Sequence, residues 1–388
     1  MIRCANIVFF PCAVLLALLL CTSCGHKAAS PAVEGIPPIA GLEAEGKMAL
    51  RYAEQFAAYR YKGGYTLIDV QEAGLWLVVP QEKPVPEGIP SDVSLIRLPV
   101  RSAYLAASSA FALWRALGAL PSLRLTSTKE EDWYMPEARQ AMAEGSLRYA
   151  GKYSAPDYEL LLGESCDLAI ESTMIFHAPK VQEKLVSLGI PVFVDTSSRE
   201  AHPLGRLEWV RLYGLLAGKE TEAAQFFEEQ LSLLSEGARY PKTGKTVAFF
   251  YVNQNGQAMV RGGADYISQL IDLAGGSYLF SSEAYPDVAS KTSYVALSME
   301  EFYQSASQAD YLLYNNTLSD AVHSVADLCS RSGLFADFKA VRDGTVWAAD
   351  ASLYQASDAV GNAILDLHTM LTGLTGESHA LTFLEHLE

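Results

Sequence analysis

The side chains best suited to holding a small molecule in this sequence stand in three groups, each directly behind an apolar run. Arg101, Ser102 and Tyr104 follow residues 95–100; Glu171, Ser172, Thr173, Met174, Phe176 and His177 follow residues 167–170; Tyr251, Asn253 and Gln254 close residues 247–252. If those runs are strands of open α/β sheets, the three groups lie beyond carboxyl ends, where ligands of such sheets bind. Tyrosine rings bury a planar ligand while their hydroxyls take polar contacts. Arg261, beside Gly262 and Gly263, adds a cation that can pair with a carboxylate or an anionic chelate, or else with a surface acid. Tyr, His and Met can also hold haem iron, and Met174 and His177 share one loop. Apolar packing of Met174 and a helix start at His177, ahead of Ala178-Pro179, are the preferred readings, and no metal ligand is assigned. His202 before Pro203 reads the same way, as the start of a helix. The chemistry is recognition rather than catalysis: the chain carries no G-x-S-x-G, H-E-x-x-H, Walker loop or G-x-G-x-x-G.

Such groups need elements that bring strand ends together. Residues 65–70 and 75–80 read as paired strands across a short turn with Gly74, and 95–100 as a further strand. Residues 108–117 read as a helix with Phe111, Leu113, Trp114 and Leu117 on its apolar face. Then come a strand at 167–170, a helix at 179–188 and a short buried strand at 191–194. A helical tract follows from about 207 to 237, with a break near Gly218. Beyond Pro241 the alternation resumes: strand 247–252, helix 266–273 ended by Gly275-Gly276, strand 310–314. Strands alternating with helices predict an α/β protein. The expected architecture is two α/β lobes with largely parallel central sheets, joined by one long rigid helix, with a ligand cleft between them. The expected bounds are 46–205 for the N-terminal lobe, 206–240 for the connecting segment and 241–388 for the C-terminal lobe. The halves echo each other, since Glu159 opens a short amphipathic stretch before residues 167–170 and Glu300-Glu301-Phe302 open another before 310–313.

The amino terminus predicts export. Arg3, an almost unbroken apolar run at 7–20 and small residues make a secretion signal, and the run is short for a spanning helix. Cys21-Thr22-Ser23-Cys24 resembles the lipobox of bacterial lipoproteins, with cleavage after Ser23 and lipid on Cys24, although Cys21 stands where leucine is usual. Residues 1–23 are thus the signal peptide and 24–45, rich in Ala, Pro and Gly at their start, the lipid anchor and flexible tether. Loss of residues 1–23 removes one charge, Arg3, and takes the formal charge from −16 to −17. That acidity argues against nucleic acid or anionic lipid as a partner. Of six cysteines, Cys4, Cys12 and Cys21 leave with the signal. Cys166 and Cys329 remain, either bridged or, as their apolar settings favour, buried free thiols; no Cys/His spacing suggests zinc.

Three stretches carry a family resemblance. They are Arg261-Gly262-Gly263-Ala264-Asp265-Tyr266-Ile267-Ser268 with Leu273-Ala274-Gly275-Gly276, Pro156-Asp157-Tyr158-Glu159-Leu160 running into 167–170, and His202-Pro203-Leu204-Gly205-Arg206 with Glu208-Trp209. In this order, over roughly residues 90–350, the chain resembles the class III, single-helix-hinge periplasmic binding proteins that serve ABC importers of iron complexes, haem and cobalamin. The resemblance implies two lobes that close modestly on a ligand. Aligned with cobalamin-binding members, ring-contact positions fall on Tyr153, Ser172, Tyr251 and Tyr294. One acidic residue per lobe docks onto arginines of the permease, here Glu159 and Glu300, with Glu301 competing for the second place.

The expected protein is therefore an extracytoplasmic solute-binding lipoprotein, a monomer and not an enzyme, without cofactor or resident metal. It would capture an iron complex (ferric siderophore or haem) and deliver it to an ABC importer. A corrinoid such as cobalamin is the alternative ligand; an exported enzyme or a surface adhesin is less natural. Its expected ligand contacts are Tyr104, Tyr153, Ser172, Met174, Tyr251, Arg261 and Tyr294.

Overall fold

The computed structural model describes residues 35–234, 239–291, 294–318, 320–373 and 380–388; the signal segment and Cys24 lie outside them. The first element is a five-stranded sheet of β1 (Ala44–Lys47), β2 (Phe56–Tyr61), β3 (Tyr65–Val70), β4 (Gly74–Val79) and β5 (Val93–Arg97). The strands pair in sequence order, antiparallel except for the parallel β4–β5 pair. The expected hairpin is β3–β4, with Val70 opposite Gly74. Alternating side chains serve two cores. Tyr61, Tyr65, Leu67, Leu77 and Val79 face a small cluster with Ile39, while Phe56, Ile68, Val70, Trp76 and Val78 face the main core. Ile39 is buried and the Tyr61 hydroxyl donates to the Pro37 carbonyl at 2.6 Å. The tether expected to run to residue 45 is therefore packed from about Pro37 onward.

The N-terminal lobe proper is a wholly parallel sheet in the order β12–β11–β6–β7–β8. Its strands are β6 (Ala103–Leu105), β7 (Leu123–Thr126), β8 (Arg148–Tyr149), β11 (Leu168–Ser172) and β12 (Val192–Asp195), and a small hairpin of β9 (Gly151–Lys152) and β10 (Ala155–Pro156) follows β8. Helices α1 (Ala110–Ala116), α2 (Pro136–Ala143), α3 (Tyr158–Gly163) and α4 (Pro179–Ser187) connect them. The first sheet docks here, with the Trp76 indole donating to the Val192 carbonyl at 2.8 Å and meeting the Phe193 ring edge-on at 5.0 Å.

The tract expected as one long helix is two: α5 (Pro203–Ala217) and α6 (Glu220–Ser232), separated by Gly218 in the left-handed conformation. They pack along each other so closely that a Cβ on Gly214 would lie 2.4 Å from that of Ala223. α6 also braces the first sheet through the ion pairs Arg51–Glu228 and Arg60–Glu220.

The C-terminal lobe is a mixed sheet with a parallel centre, β13 (Thr246–Val252), β17 (Tyr311–Asn315) and β18 (Val346–Ala349). Antiparallel β14 (Ala258–Arg261) and β16 (Tyr294–Leu297) extend one side, antiparallel β19 (Leu384–His386) the other, and short β15 (Ser277–Tyr278) pairs parallel with β13. Helices α7 (Tyr266–Leu273), α8 (Pro286–Ala289), α9 (Met299–Ala306), α10 (Val325–Arg331), α11 (Lys339–Asp343) and α12 (Val360–Thr372) complete it. The internal echo is present, α3 leading into β11 as α9 leads into β17. Among the described residues no helix is long and apolar enough to cross a membrane.

Candidate ligand-binding site

Behind the carboxyl end of β18, two 3₁₀ turns at Ala351–Tyr354 and Ser357–Ala359 form a strap that reaches the N-terminal lobe. The Ser357 hydroxyl donates to the Ser109 carbonyl at 2.5 Å. Gln355 accepts from the Tyr134 amide and donates to the Asp132 carbonyl, both at 2.9 Å. Asp358 pairs with Arg115 at 2.6 Å, and Arg115 also holds Glu137 at 2.8 Å. The strap encloses a cavity of about 350 Å³ lined by Ser109, Ser197 and Ser198 of the first lobe, Arg206 of α5, and Arg261, Asp265, Tyr266 and Tyr354 of the second. A wider cavity of about 730 Å³ opens between Tyr134 and the ends of β13 and β17, with Tyr251, Asn253 and Asn316 among its walls.

The second lobe supplies a cluster of aromatic rings around one cation. Arg261 and Tyr294 are cross-strand partners on β14 and β16, so their side chains share a face. The Arg261 guanidinium lies 3.9 Å from the centre of the Tyr294 ring and 5.1 Å from that of Tyr354. It donates to the Tyr354 hydroxyl at 2.9 Å and pairs with Asp265 at 3.3 Å. Asn315 donates to the Tyr294 hydroxyl at 2.7 Å, and the Tyr251 ring meets that of Tyr294 edge-on at 5.1 Å. Burial alone would lower the proton affinity of Arg261, but Tyr354, Tyr294 and Asp265 outweigh it and hold the guanidinium above its ordinary value. The neighbouring glycines are required by close approach, since a Cβ on Gly262 would lie 2.0 Å from the Lys291 carbonyl oxygen and one on Gly263 2.7 Å from that of Phe280.

Of the residues expected to touch ligand, the structure thus gathers Tyr251, Arg261 and Tyr294. Tyr104 is corrected. The strand expected at 95–100 ends at Arg97, and residue 104 is the middle of the next strand, in a different sheet. Its side chain is fully buried in the core under α3 and α4. Arg101 and Ser102 lie at the amino end of that strand, where their amides donate to the Asp167 carboxylate at 2.8 and 3.1 Å. Tyr153 sits in the turn between β9 and β10, half-buried. Ser172 ends β11 and caps the following 3₁₀ turn by accepting from the Met174 amide at 3.3 Å, with Met174 and His177 exposed on that turn. None of Tyr153, Ser172 and Met174 lines either cavity, and Tyr294 reaches neither wall directly but packs on Arg261 and Tyr251.

Other expectations resolve locally. Both thiols are free, Cys166 buried and Cys329 half-buried. His202 caps α5, its Nδ1 accepting from the Leu204 amide at 3.1 Å. Glu159 and Glu300 are exposed in the first turns of α3 and α9. Glu301 is committed to a capping box with Ser298, accepting from its amide at 2.8 Å, which leaves Glu300 as the carboxylate open to a partner. Glu171 stands apart from the ligand contacts: its carboxyl is fully buried with no hydrogen-bond partner for either oxygen among the described residues, and burial pushes it up to about 8. Arg206 and Tyr354 were missed as site residues. Arg206 belongs to the His202–Arg206 stretch, yet nothing local to the sequence shows which way a first-turn arginine faces, and Tyr354 belongs to a strap with no periodic signal.

Two lobes and a strap around a cavity lined by both polar and apolar side chains are the architecture of a binding protein. The sequence profile described as periplasmic binding protein matches residues 105–353, and the chain belongs to that family of solute-binding proteins. The match begins after the first sheet. An uncharacterised lipoprotein of Methanocaldococcus jannaschii is 24% identical over 315 residues, 76% of this chain and 72% of that one. A vitamin B12-binding protein of Vibrio parahaemolyticus is 24% identical over 249 residues, 63% of this chain and 80% of its own. The periplasmic haem-binding protein of Vibrio cholerae shares the fold with a TM-score of 0.54 at 21% identity, over 71% of this chain and all of that one (100%).

Proposed function

We propose that this protein is a lipid-anchored, extracytoplasmic binding protein that captures an iron complex, ferric siderophore or haem, and hands it to an ABC importer. The observation that supports this reading is the cluster of Arg261, Tyr294 and Tyr354, of which Arg261 and Tyr354 line the cavity between the lobes. Its rings and hydroxyls suit a large chelate, and its cation suits one that carries negative charge. Lipoprotein relatives agree with an anchor at Cys24. A corrinoid is the second reading, supported by the relative from Vibrio parahaemolyticus named for vitamin B12.

Absorption spectra separate the two. Residues 25–388, made without the anchor, are titrated with a ferric hydroxamate, hemin and cyanocobalamin, whose bands differ. An iron complex is expected to bind, and cyanocobalamin not to. Tyr251→Ala removes a half-buried ring from the wider cavity and should weaken binding about ten- to a hundredfold with melting temperature nearly unchanged. Tight binding of cyanocobalamin alone would replace the iron reading with the corrinoid one. The delivery step has its own test. Glu159→Ala combined with Glu300→Ala removes one exposed carboxylate from each lobe and should impair uptake in cells while ligand affinity stays unchanged. Loss of ligand affinity in that double variant would place the two residues at the cleft instead.

A further inference from the structure

The strap of residues 351–359 does two things with interleaved residues. Leu353, Tyr354 and Ala356 line the inter-lobe cavity, while Gln355 and Asp358 reach across to the N-terminal lobe, and Ser357 does both. The tie that carries charge is lopsided. Arg115 of α1 donates to one oxygen of Asp358 through Nη2 at 2.6 Å and Nε at 3.2 Å, and to Glu137 of α2 through Nη1 at 2.8 Å. One guanidinium thus holds two acids, of which Glu137 shares its lobe and Asp358 belongs to the other. Nor is the tie fully satisfied. The second oxygen of each acid, Asp358 Oδ1 and Glu137 Oε2, is buried with no hydrogen-bond partner among the described residues. Burial holds the Asp358 carboxyl above its ordinary value although Arg115 pulls the other way. A buried ion pair whose desolvation is incompletely offset adds little net stability. Lifting the strap returns the Asp358 carboxylate to water, and Arg115 keeps Glu137, so no charge is left buried alone in the open form. Opening is therefore cheap and reversible.

We infer that residues 351–359 are a gate over the inter-lobe cavity, latched to the N-terminal lobe by Arg115 and Asp358, with Glu137 as the partner that Arg115 retains when the gate opens. The inference rests on the solute-binding reading only for what passes the gate; the opening itself needs no solute. Tyr354 joins the two events. Its hydroxyl accepts from Arg261 on the cavity wall at 2.9 Å, and it stands in the same strap as Asp358, so a molecule that engages Tyr354 bears on the latch as well.

The test reads access to the cavity directly. Residues 25–388 carrying Cys329→Ala keep Cys166 as their one native thiol, and that thiol is buried. Ser197→Cys then places a second thiol in the cavity wall, and its rate of modification by a small methanethiosulfonate reagent measures how often the cavity opens. Asp358→Ala should raise that rate about tenfold, the shift in population expected from one lost charge-assisted pair. Glu137→Gln should act in the opposite sense and slow it severalfold, because Arg115 then has no carboxylate left when the strap lifts. Cys166 should react equally slowly in all of these chains. Equal rates at position 197 with and without Asp358 would overturn the gate. A parallel rise at Cys166 would overturn it too, since Asp358→Ala would then be loosening the whole lobe. Either outcome leaves the solute-binding reading standing, because no solute enters the measurement.

Discussion

Replacing Glu208 by alanine is expected to lower folding stability by about 3–5 kcal/mol and to loosen the segment 51–55 from α5. Glu208 is fully buried on α5, and its carboxylate accepts the backbone amides of Arg51 (2.9 and 3.0 Å), Tyr52 (2.8 Å) and Ala53 (2.9 Å). The next two amides, Glu54 and Gln55, go to Glu200, which also accepts from the Trp209 indole at 2.9 Å. Five consecutive N–H groups, which have no strand or helix of their own, are thus answered by two acids from the connecting segment. Gly205 allows the approach: a Cβ there would lie 2.9 Å from the Tyr52 carbonyl oxygen. With Glu208 truncated, three of these donors lose their acceptor, Tyr52 and Ala53 half-buried and Arg51 exposed, at a cost of about 1–3 kcal/mol for each donor kept from water. Against a total stability of about 5–15 kcal/mol that is a large share. Glu208→Gln should fall between, because one of its two terminal atoms becomes a donor facing donors. Urea denaturation followed by tryptophan fluorescence gives the loss, and limited proteolysis at residues 51–55 reports the undocking. A change below about 1 kcal/mol would mean that the segment finds other acceptors.

Glu171 predicts an unusual dependence on pH. Its carboxyl is buried without partners, and burial raises its proton affinity from the ordinary 4.5 to about 8. Tyr104 and Tyr158, which face it, have their own hydroxyls raised by burial and stay neutral over that range. Between about 4.5 and about 8 the folded chain keeps a proton that the unfolded chain releases. The contribution is therefore fully present below the unfolded value and is lost as pH rises through the window, by up to about 1.4 kcal/mol per pH unit. Above the folded value it levels off. Glu171→Gln keeps the size and removes the titration. The variant should match the natural chain at acid pH and exceed it by several kcal/mol at mildly alkaline pH. Asp195 and Asp358 are also raised by burial, so the quantity to measure is the difference between the two proteins across pH. Parallel stability curves would show that Glu171 finds a compensating partner in solution.

How much of this was legible beforehand follows the range of the interactions. The α7 helix was readable to the residue because its signals are local: Asp265 caps it, accepting from the Ile267 amide at 3.0 Å, and Gly275 follows its end with φ at 92°. The same holds for the β3–β4 hairpin and for the alternation of strands and helices that makes the two lobes. The resemblance pointed to Tyr251 and Tyr294, which do meet, and also to Tyr153 and Ser172, which stand apart from them; Arg261 was marked by the glycines beside it, which report a crowded backbone. The division of the connecting tract was half readable. Gly218 marked a break, but only the contact of Gly214 with Ala223 makes the second helix lie along the first.

Other features were decided by tertiary structure alone. Tyr104 has the same residue type and a similar place after an apolar run as Tyr251, yet one is sealed in a core and the other lines a cavity. The difference is which sheet each strand joins, and strand pairing joins residues far apart in the chain. Arg206, Glu208 and Glu200 sit within nine residues of one another. One faces a cavity and two hold the backbone of residues 51–55, about 150 positions earlier. Helical periodicity tells which side a residue shares with its neighbours, but what stands opposite that side is set by chain that the local pattern does not contain. The sequence by itself determined the elements, their order and the family; the partners of the charged side chains, and hence which acids hold distant backbone, arose only when distant segments were packed together.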